Sequence, residues 1–243
     1  STAASDGGPD PTAYELGSNL SITPFIHGLV GYWPLNEGSG TTAYDNSGWN
    51  NNGTLEGATD LPTWTTTGCL SHGSCLSFDG SDDYVESNTA NGIGNSTVSE
   101  CLWASFNNFN NENQLGYIEN TANSRYFYLS TWCSSGSPYS CVHLNNGSQG
   151  EVSGRIFNTS SWYFVCGVID MKNGVISTYI NGSPLQSTSF SPGTLSGTPA
   201  SIWTGGTAEG YQHMAGLINN TRFYDTALTA SQIQAIYNAE KPQ

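Results

Sequence analysis

Carboxylates dominate the chemistry open to this chain: 19 Asp and Glu stand against 5 Lys and Arg, with 4 His and 6 Cys. The densest acidic run is FDGSDDYVE, which gathers Asp79, Asp82, Asp83 and Glu86, while Asp45 stands apart in YDNSG. Hard cations take several carboxylate and carbonyl oxygens at once. Asp45, Asp79, Asp82 and Asp83 are therefore candidate ligands for calcium, the one cofactor the sequence raises. Asp beside Gly and Ser also builds Asx-turns with no ion involved.

Nucleophilic catalysis has less to work with. His27, His72, His143 and His213 are scattered, and no Gly-x-Ser-x-Gly elbow or Cys/His pairing accompanies them. The six cysteines fit disulfides better than zinc, because only His72 lies between two of them and no CxxC occurs. Two pairs bracket Gly/Ser turns, CLSHGSC and CSSGSPYSC, and Cys101 and Cys166 each sit inside a strand-like run. The spacing predicts Cys69–Cys75, Cys133–Cys141 and Cys101–Cys166.

Tryptophans beside polar loops are the usual platform for a sugar ring. Trp49, Trp64, Trp132 and Trp203 have that setting, whereas Trp33, Trp103 and Trp162 lie in strand-like runs and read as core. Sequons stand at Asn19, Asn52, Asn95, Asn146, Asn158, Asn181 and Asn219. So many Asn, Ser and Thr would produce nearly that number by chance, so the motifs permit glycosylation without demonstrating it.

Positioning these groups falls to short strands. Only 10% of the 243 residues are charged and the net charge is -14, which excludes phosphate-rich partners such as nucleic acid and argues against an anionic membrane surface. No run of about 18 apolar residues is present to span a bilayer. The absence of an initiator Met and of an apolar h-region, together with the cysteines, leads us to expect a mature secreted chain at the cell surface.

Apolar or alternating runs recur between turn clusters: GLVGYWPL, CLSFDG, DYVES, STVSECLWASF, QLGYIE, RYFYLSTW, SWYFVCGVID, GVISTYING, ASIWTG and AGLINNTRFY. Many short strands joined by Gly, Asn and Ser predict an all-β, two-sheet antiparallel jelly-roll sandwich. In GVISTYI, Val175, Ser177 and Tyr179 take one face and Ile176, Thr178 and Ile180 the other. Asn173–Gly174 and Asn181–Gly182 are tight-turn signals on either side of it. One helix is expected near the end, in LTASQIQAIYNAE, where Thr229 and Gln232 form a capping-box pattern and Ile233, Ile236 and Tyr237 give an apolar stripe.

These runs carry a family likeness. GLVGYWPLNEGSGTTAYDNSGWNNNGTLEGA resembles the opening of laminin-G-like domains of the concanavalin A-like lectin/glucanase fold. CLSFDGSDDYVE is similar to that family's LxFDGxDDYV strand pair, SSWYFVCGVIDMKNGVISTYINGSPL to its hairpin, and AGLINNTRFYDTALTASQIQAIYN to its closing strand and helix. The resemblance spans Leu29 to Asn238 and implies the concanavalin A-like sandwich. It also implies that rim loops suit calcium. Glucanases of the superfamily carry their carboxylates as Glu-x-Asp-x-x-Glu on one strand, a run missing here, so no catalysis is expected. Where the family commonly has an acidic residue after GLI, this chain has Asn219, then Asn220 and Thr221.

Residues 1–27 read as an extension preceding a domain over residues 28–243. Ser1 to Gly17 is small and polar, unable to build a core by itself. Within SNLSITPFI, Leu20 and Ile22 alternate with polar residues ahead of Phe25 and Ile26, so this segment is read as a strand for assembly. A strand ahead of a complete sandwich can add to the edge of another copy, and such heterologous contacts propagate into filaments. The sequence thus leads us to expect a non-catalytic structural subunit of an extracellular filament, with copies of itself as partners. The alternative is a lectin-like adhesin binding surface glycans or proteins, with a calcium site.

Overall fold

A computed structural model of the chain describes residues 27–70, 73–109, 113–120, 125–131, 141–144, 151–153, 157–194, 197–208 and 212–242. Each of the ten apolar runs forms a strand. They are β1 (Leu29–Trp33), β5 (Cys75–Asp79), β6 (Tyr84–Ser87), β7 (Thr97–Phe106), β8 (Gln114–Asn120), β9 (Arg125–Ser130), β12 (Trp162–Asp170), β13 (Val175–Ile180), β15 (Pro199–Thr204) and β16 (Ala215–Tyr224). Short or polar strands join them: β2 (Thr42–Ala43), β3 (Gly53–Glu56), β4 (Thr63–Thr65), β10 (Cys141–Leu144), β11 (Glu151–Ser153) and β14 (Ser183–Ser189).

Every strand pairing among the described residues is antiparallel. Sheet A runs β14-β13-β12-β7-β16-β5-β4 and sheet B runs β11-β10-β9-β8-β15-β6-β3-β2. In sheet A, β16 pairs with β7 along one edge; along the other it pairs with β5 through Ala215–Ile218 and with β1 through Thr221–Tyr224. The handover falls at Asn219 and Asn220, where Asn220 adopts φ 54°. Asn tolerates that left-handed conformation better than most residues, which accounts locally for the Asn-Asn pair after GLI.

Alternation along the strands turns one face of each sheet inward. Leu102 and Phe106 of β7, Val165 of β12 and Ile218 of β16 meet Ile118 of β8, Ile202 of β15 and Val85 of β6 in one buried core. A second cluster lies on the opposite face of sheet A, where Trp103, Phe164 and Tyr224 are covered by α1 (Ala230–Glu240) through Ile233 and Ile236. Each of these isoleucines is worth about 1.5–3 kcal/mol when fully buried. The helix starts at the expected capping box: the Gln232 N–H donates to Thr229 Oγ1 at 3.3 Å and the Thr229 N–H to Gln232 Oε1 at 2.8 Å. The β13–β14 hairpin turns at Asn181 and Gly182, with φ 51° and 77°, as the Asn-Gly signal predicts.

Two of the three expected disulfides are present, Cys69–Cys75 and Cys101–Cys166. Cys101 stands directly opposite Cys166 in the β7–β12 ladder. The Cys133–Cys141 pairing involves Cys133, which lies outside the described residues. Also outside them are the assembly-strand residues Leu20, Ile22, Phe25 and Ile26, the sequons at Asn19 and Asn146, and Trp132. No helix among the described residues is long and apolar enough to cross a membrane.

Candidate functional site

Sheet B turns Val85, Ile118 and Ile202 into the core, so the residues between them point to its outer face. Register aligns them in a row across the strands: Thr54 opposite Glu86, Glu86 opposite Trp203, Trp203 opposite Tyr117, and Tyr117 opposite Tyr128. Tyr84 stands opposite Glu56 one step along the β3–β6 ladder. The Trp203 ring lies 5.1 Å from Tyr84 and 6.2 Å edge-on to Tyr117. Its indole N–H donates to Ser201 Oγ at 2.7 Å, and Ser201 Oγ donates to Glu119 Oε2 at 3.4 Å. Trp203 and Tyr117 are buried, whereas Tyr84, Glu56, Glu86 and Glu119 are half-buried and reach solvent.

Glu56, Glu86 and Glu119 make the β3, β6 and β8 part of this face acidic, with Arg125 opposite Glu119 in the β8–β9 ladder. Partial burial pushes the Glu86 carboxyl up to about 7, and the neighbouring Glu119 and Glu56 charges push it the same way. The Tyr84 hydroxyl is raised by burial, then by Glu56 and Glu86. Such a face supplies ring surfaces for stacking and acceptor oxygens for a ligand rich in hydroxyl donors.

A second cluster occupies the β5–β6 turn. Asp60, Asp79 and Asp82 bring carboxylate oxygens within 4.8 Å of one another. The Thr59 N–H donates to Asp82 Oδ2 at 2.9 Å, the Thr59 hydroxyl donates to the same oxygen, and the Ser81 N–H donates to Asp79 Oδ1 at 2.7 Å. Asp83 is only 3% exposed and accepts from the Asp79 N–H at 2.7 Å. Burial foremost pushes Asp83 up to about 6, opposed by that hydrogen bond and aided by Asp79, Asp60 and Asp82. Asp82 Oδ1 and Asp83 Oδ1 are both buried without a hydrogen-bond partner. This donor set, all hard oxygen with spare lone pairs, fits a divalent cation.

The structure redistributes the residues proposed from sequence. Asp79 and Asp82 fall in the acidic cluster and Asp83 lies beside it, but Asp45 does not join them. Its carboxylate accepts from the N–H groups of Tyr32, Ser47 and Asn51 at 2.8–2.9 Å and from Ser47 Oγ, a turn-forming role that uses both oxygens. Asp60 takes the third place. Sequence pattern did not reveal it, because the β3–β4 connection brings it to the cluster from 19 positions before Asp79.

The tryptophans likewise part company. Trp49 and Trp64 pack against the inter-sheet core, with the Trp64 indole donating to the Gly40 carbonyl at 2.8 Å. Trp203 alone of the three described candidates lies on the outer face of sheet B, where it backs Tyr84 rather than forming an exposed plate. Asn95 and Asn158 are exposed; Asn52 is exposed with Oδ1 accepting from Asp45, and Asn181 sits in its hairpin turn with Oδ1 accepting from Phe164. Asn219 is only 6% exposed, and its Nδ2 donates to the carbonyls of Pro34 and Leu35 at 2.8 and 3.3 Å. A glycan at Asn219 would have to displace those bonds inside the fold, so this sequon is structural.

Solved structures share the architecture. Domain 4 of AbnA, an extracellular GH43 arabinanase from Geobacillus stearothermophilus in complex with arabinotriose, superposes with a TM-score of 0.63 at 19% identity, covering 86% of this chain and 98% of that one. The ligand-binding domain of botulinum neurotoxin serotype D, in complex with N-acetylneuraminic acid, gives 0.63 at 17% identity, covering 88% of this chain and 51% of that one. Trypanosoma rangeli sialidase with the inhibitor DANA gives 0.59 at 14% identity, covering 86% of this chain but 32% of the sialidase. At such low identity these superpositions show a common fold alone. A comparison with curated protein sequences finds no match. The family profile described as the concanavalin A-like lectin/glucanases superfamily matches residues 79–234. With more than half of its length in that match, two antiparallel sheets and a single described C-terminal helix, the chain belongs to the concanavalin A-like lectin/glucanase superfamily.

Proposed function

We propose that the chain is a non-catalytic, secreted glycan-binding module that presents the outer face of sheet B to saccharides at a cell surface. The observation that carries this reading is the Tyr84–Trp203–Tyr117 ring ladder lined by Glu56, Glu86 and Glu119. Tyr84 and the carboxylates meet the ligand, and the buried Trp203 and Tyr117 hold Tyr84 in place. The arabinanase domain and the neurotoxin domain, solved with sugars bound, support the reading by analogy of fold. The disulfides support an extracellular setting. Calcium belongs to the same proposal as a brace, held by Asp60, Asp79 and Asp82 at the turn that leads into Tyr84. Filament assembly through residues 1–27 would draw on residues outside those described, whereas the described face supplies the groups that a sugar needs.

The test is a glycan array with the full chain beside a Tyr84→Ala variant, followed by titration calorimetry on any hit. Retention of a glycan by the full chain, weakened about 10-fold or more in the variant, is expected from the loss of a stacked ring. Equal binding by both chains would move the site elsewhere. Absence of binding to any glycan would remove the lectin reading.

A further inference from the structure

Resting on the saccharide-binding reading, we infer that the outer face of sheet B selects saccharides without acidic groups and turns away sialylated or uronic ones. Glu56, Glu86 and Glu119 all lie on this face. Glu86 has Thr54 and Trp203 as its register partners, and Glu56 has Tyr84, so no basic residue stands opposite either one. Arg125 stands opposite Glu119 in the β8–β9 ladder, leaving two carboxylates of the three without a basic neighbour in register.

Among the described residues His143 stands in the same row, opposite Tyr128, while the other lysines and arginines lie elsewhere. Lys172 sits in the β12–β13 turn of sheet A, Arg222 pairs with Glu240, and Lys241 lies over Tyr237 at the end of α1. An ionised carboxylate only accepts hydrogen bonds. Above about pH 7, where Glu86 is mainly ionised, a ligand over Glu86 must therefore bring donors, which hydroxyls and amines supply and another carboxylate does not. A sialic or uronic acid would add a like charge to a face that already carries several, and like-charge juxtaposition is a strong means of rejecting a partner.

The test uses the full chain and matched glycans that differ only in one terminal sialic acid, in low and moderate salt at pH 7.5. The desialylated member is expected to bind at least ~10-fold more tightly, with the ratio shrinking as salt rises, because the penalty is Coulombic and screened. In a Glu56→Gln/Glu86→Gln variant the ratio should fall toward one. Equal or tighter binding of the sialylated member overturns the inference while leaving the saccharide reading in place. A preference that ignores salt and both substitutions overturns it too, since shape rather than charge would then be the cause. If no member of any pair binds, both the inference and the reading beneath it fall.

Discussion

Glu240, in the last turn of α1, forms an ion pair with Arg222 of β16 and so ties the helix to the centre of sheet A. The same carboxylate accepts the indole N–H of Trp103 at 2.9 Å, and the guanidinium lies 4.0 Å from the centre of the Tyr32 ring. The two side chains are 11% and 15% exposed, so the pair is largely shielded from water. Removing one partner of a buried pair strands the other, at a cost of about 3–5 kcal/mol. Glu240→Gln should lower the urea midpoint accordingly, and replacing both partners by Arg222→Met/Glu240→Leu should recover most of the loss. A single substitution that leaves the midpoint unchanged would show that the pair is solvated.

Glu100 supplies a pH dependence. It is fully buried on the inner face of β7, neither oxygen has a hydrogen-bond partner, and burial holds its carboxyl well above the ordinary range. The folded chain keeps a proton here that the unfolded chain releases above about pH 4.3. Stability from this group is therefore complete at lower pH and declines as pH rises toward the folded value. Asp83, raised to about 6, and Glu86, raised to about 7, tilt the curve the same way. Urea midpoints should fall between pH 5 and pH 8, and Glu100→Gln should flatten the slope. Parallel curves for the two proteins would mean that Glu100 does not contribute.

Gly116 of β8 is what makes room for that carboxyl. A Cβ there would overlap the Glu100 side chain. Gly116→Ala should cost about 1–3 kcal/mol through overpacking. In a Glu100→Ala background the penalty should vanish, and a thermal-melt double-mutant cycle measures the coupling.

The Cys101–Cys166 bridge closes a span of 65 residues within sheet A. Loop-closure entropy puts its contribution at about 4 kcal/mol. A Cys101→Ala/Cys166→Ala chain should lose roughly that amount in chemical denaturation, while Cys69→Ala/Cys75→Ala, across a separation of 6, should lose less.

Calcium can be checked by melting the chain in EDTA and again with millimolar calcium. An ion at Asp60, Asp79 and Asp82 raises the melting temperature in proportion to the logarithm of its concentration above Kd. Asp79→Asn/Asp82→Asn should abolish that rise. A calcium response that survives in the variant would place the ion elsewhere.

The sequence revealed what is local. Ten apolar runs became strands, the Thr229 cap and the Ile233/Ile236 stripe became a helix, and two cysteine pairings followed from spacing and strand context. What escaped was whatever depends on register between distant strands. Glu56 and Glu86 come from the adjacent strands β3 and β6 and Glu119 from β8, on the other side of β15, and no spacing in the chain announces that they share a face. Trp203 stood out as an aromatic beside polar residues, yet its burial between Tyr84 and Tyr117 follows from pairing partners more than 80 positions away. The strands β2, β3 and β4 lacked an apolar signature because they are short and half-exposed.

The place of β16 bears on how the chain is made. Residues 215–224 fill the gap between β7 and the β5/β1 edge, so sheet A has a vacant central position until this late strand of the domain has been made. Before β16 is added, Val98, Leu102 and Phe106 are ready to pack but the sheet lacks the strand that closes it. Such non-local closure is slow, and unpaired edges invite aggregation while it is awaited. Closure of this sandwich therefore waits on β16, the last of its described strands.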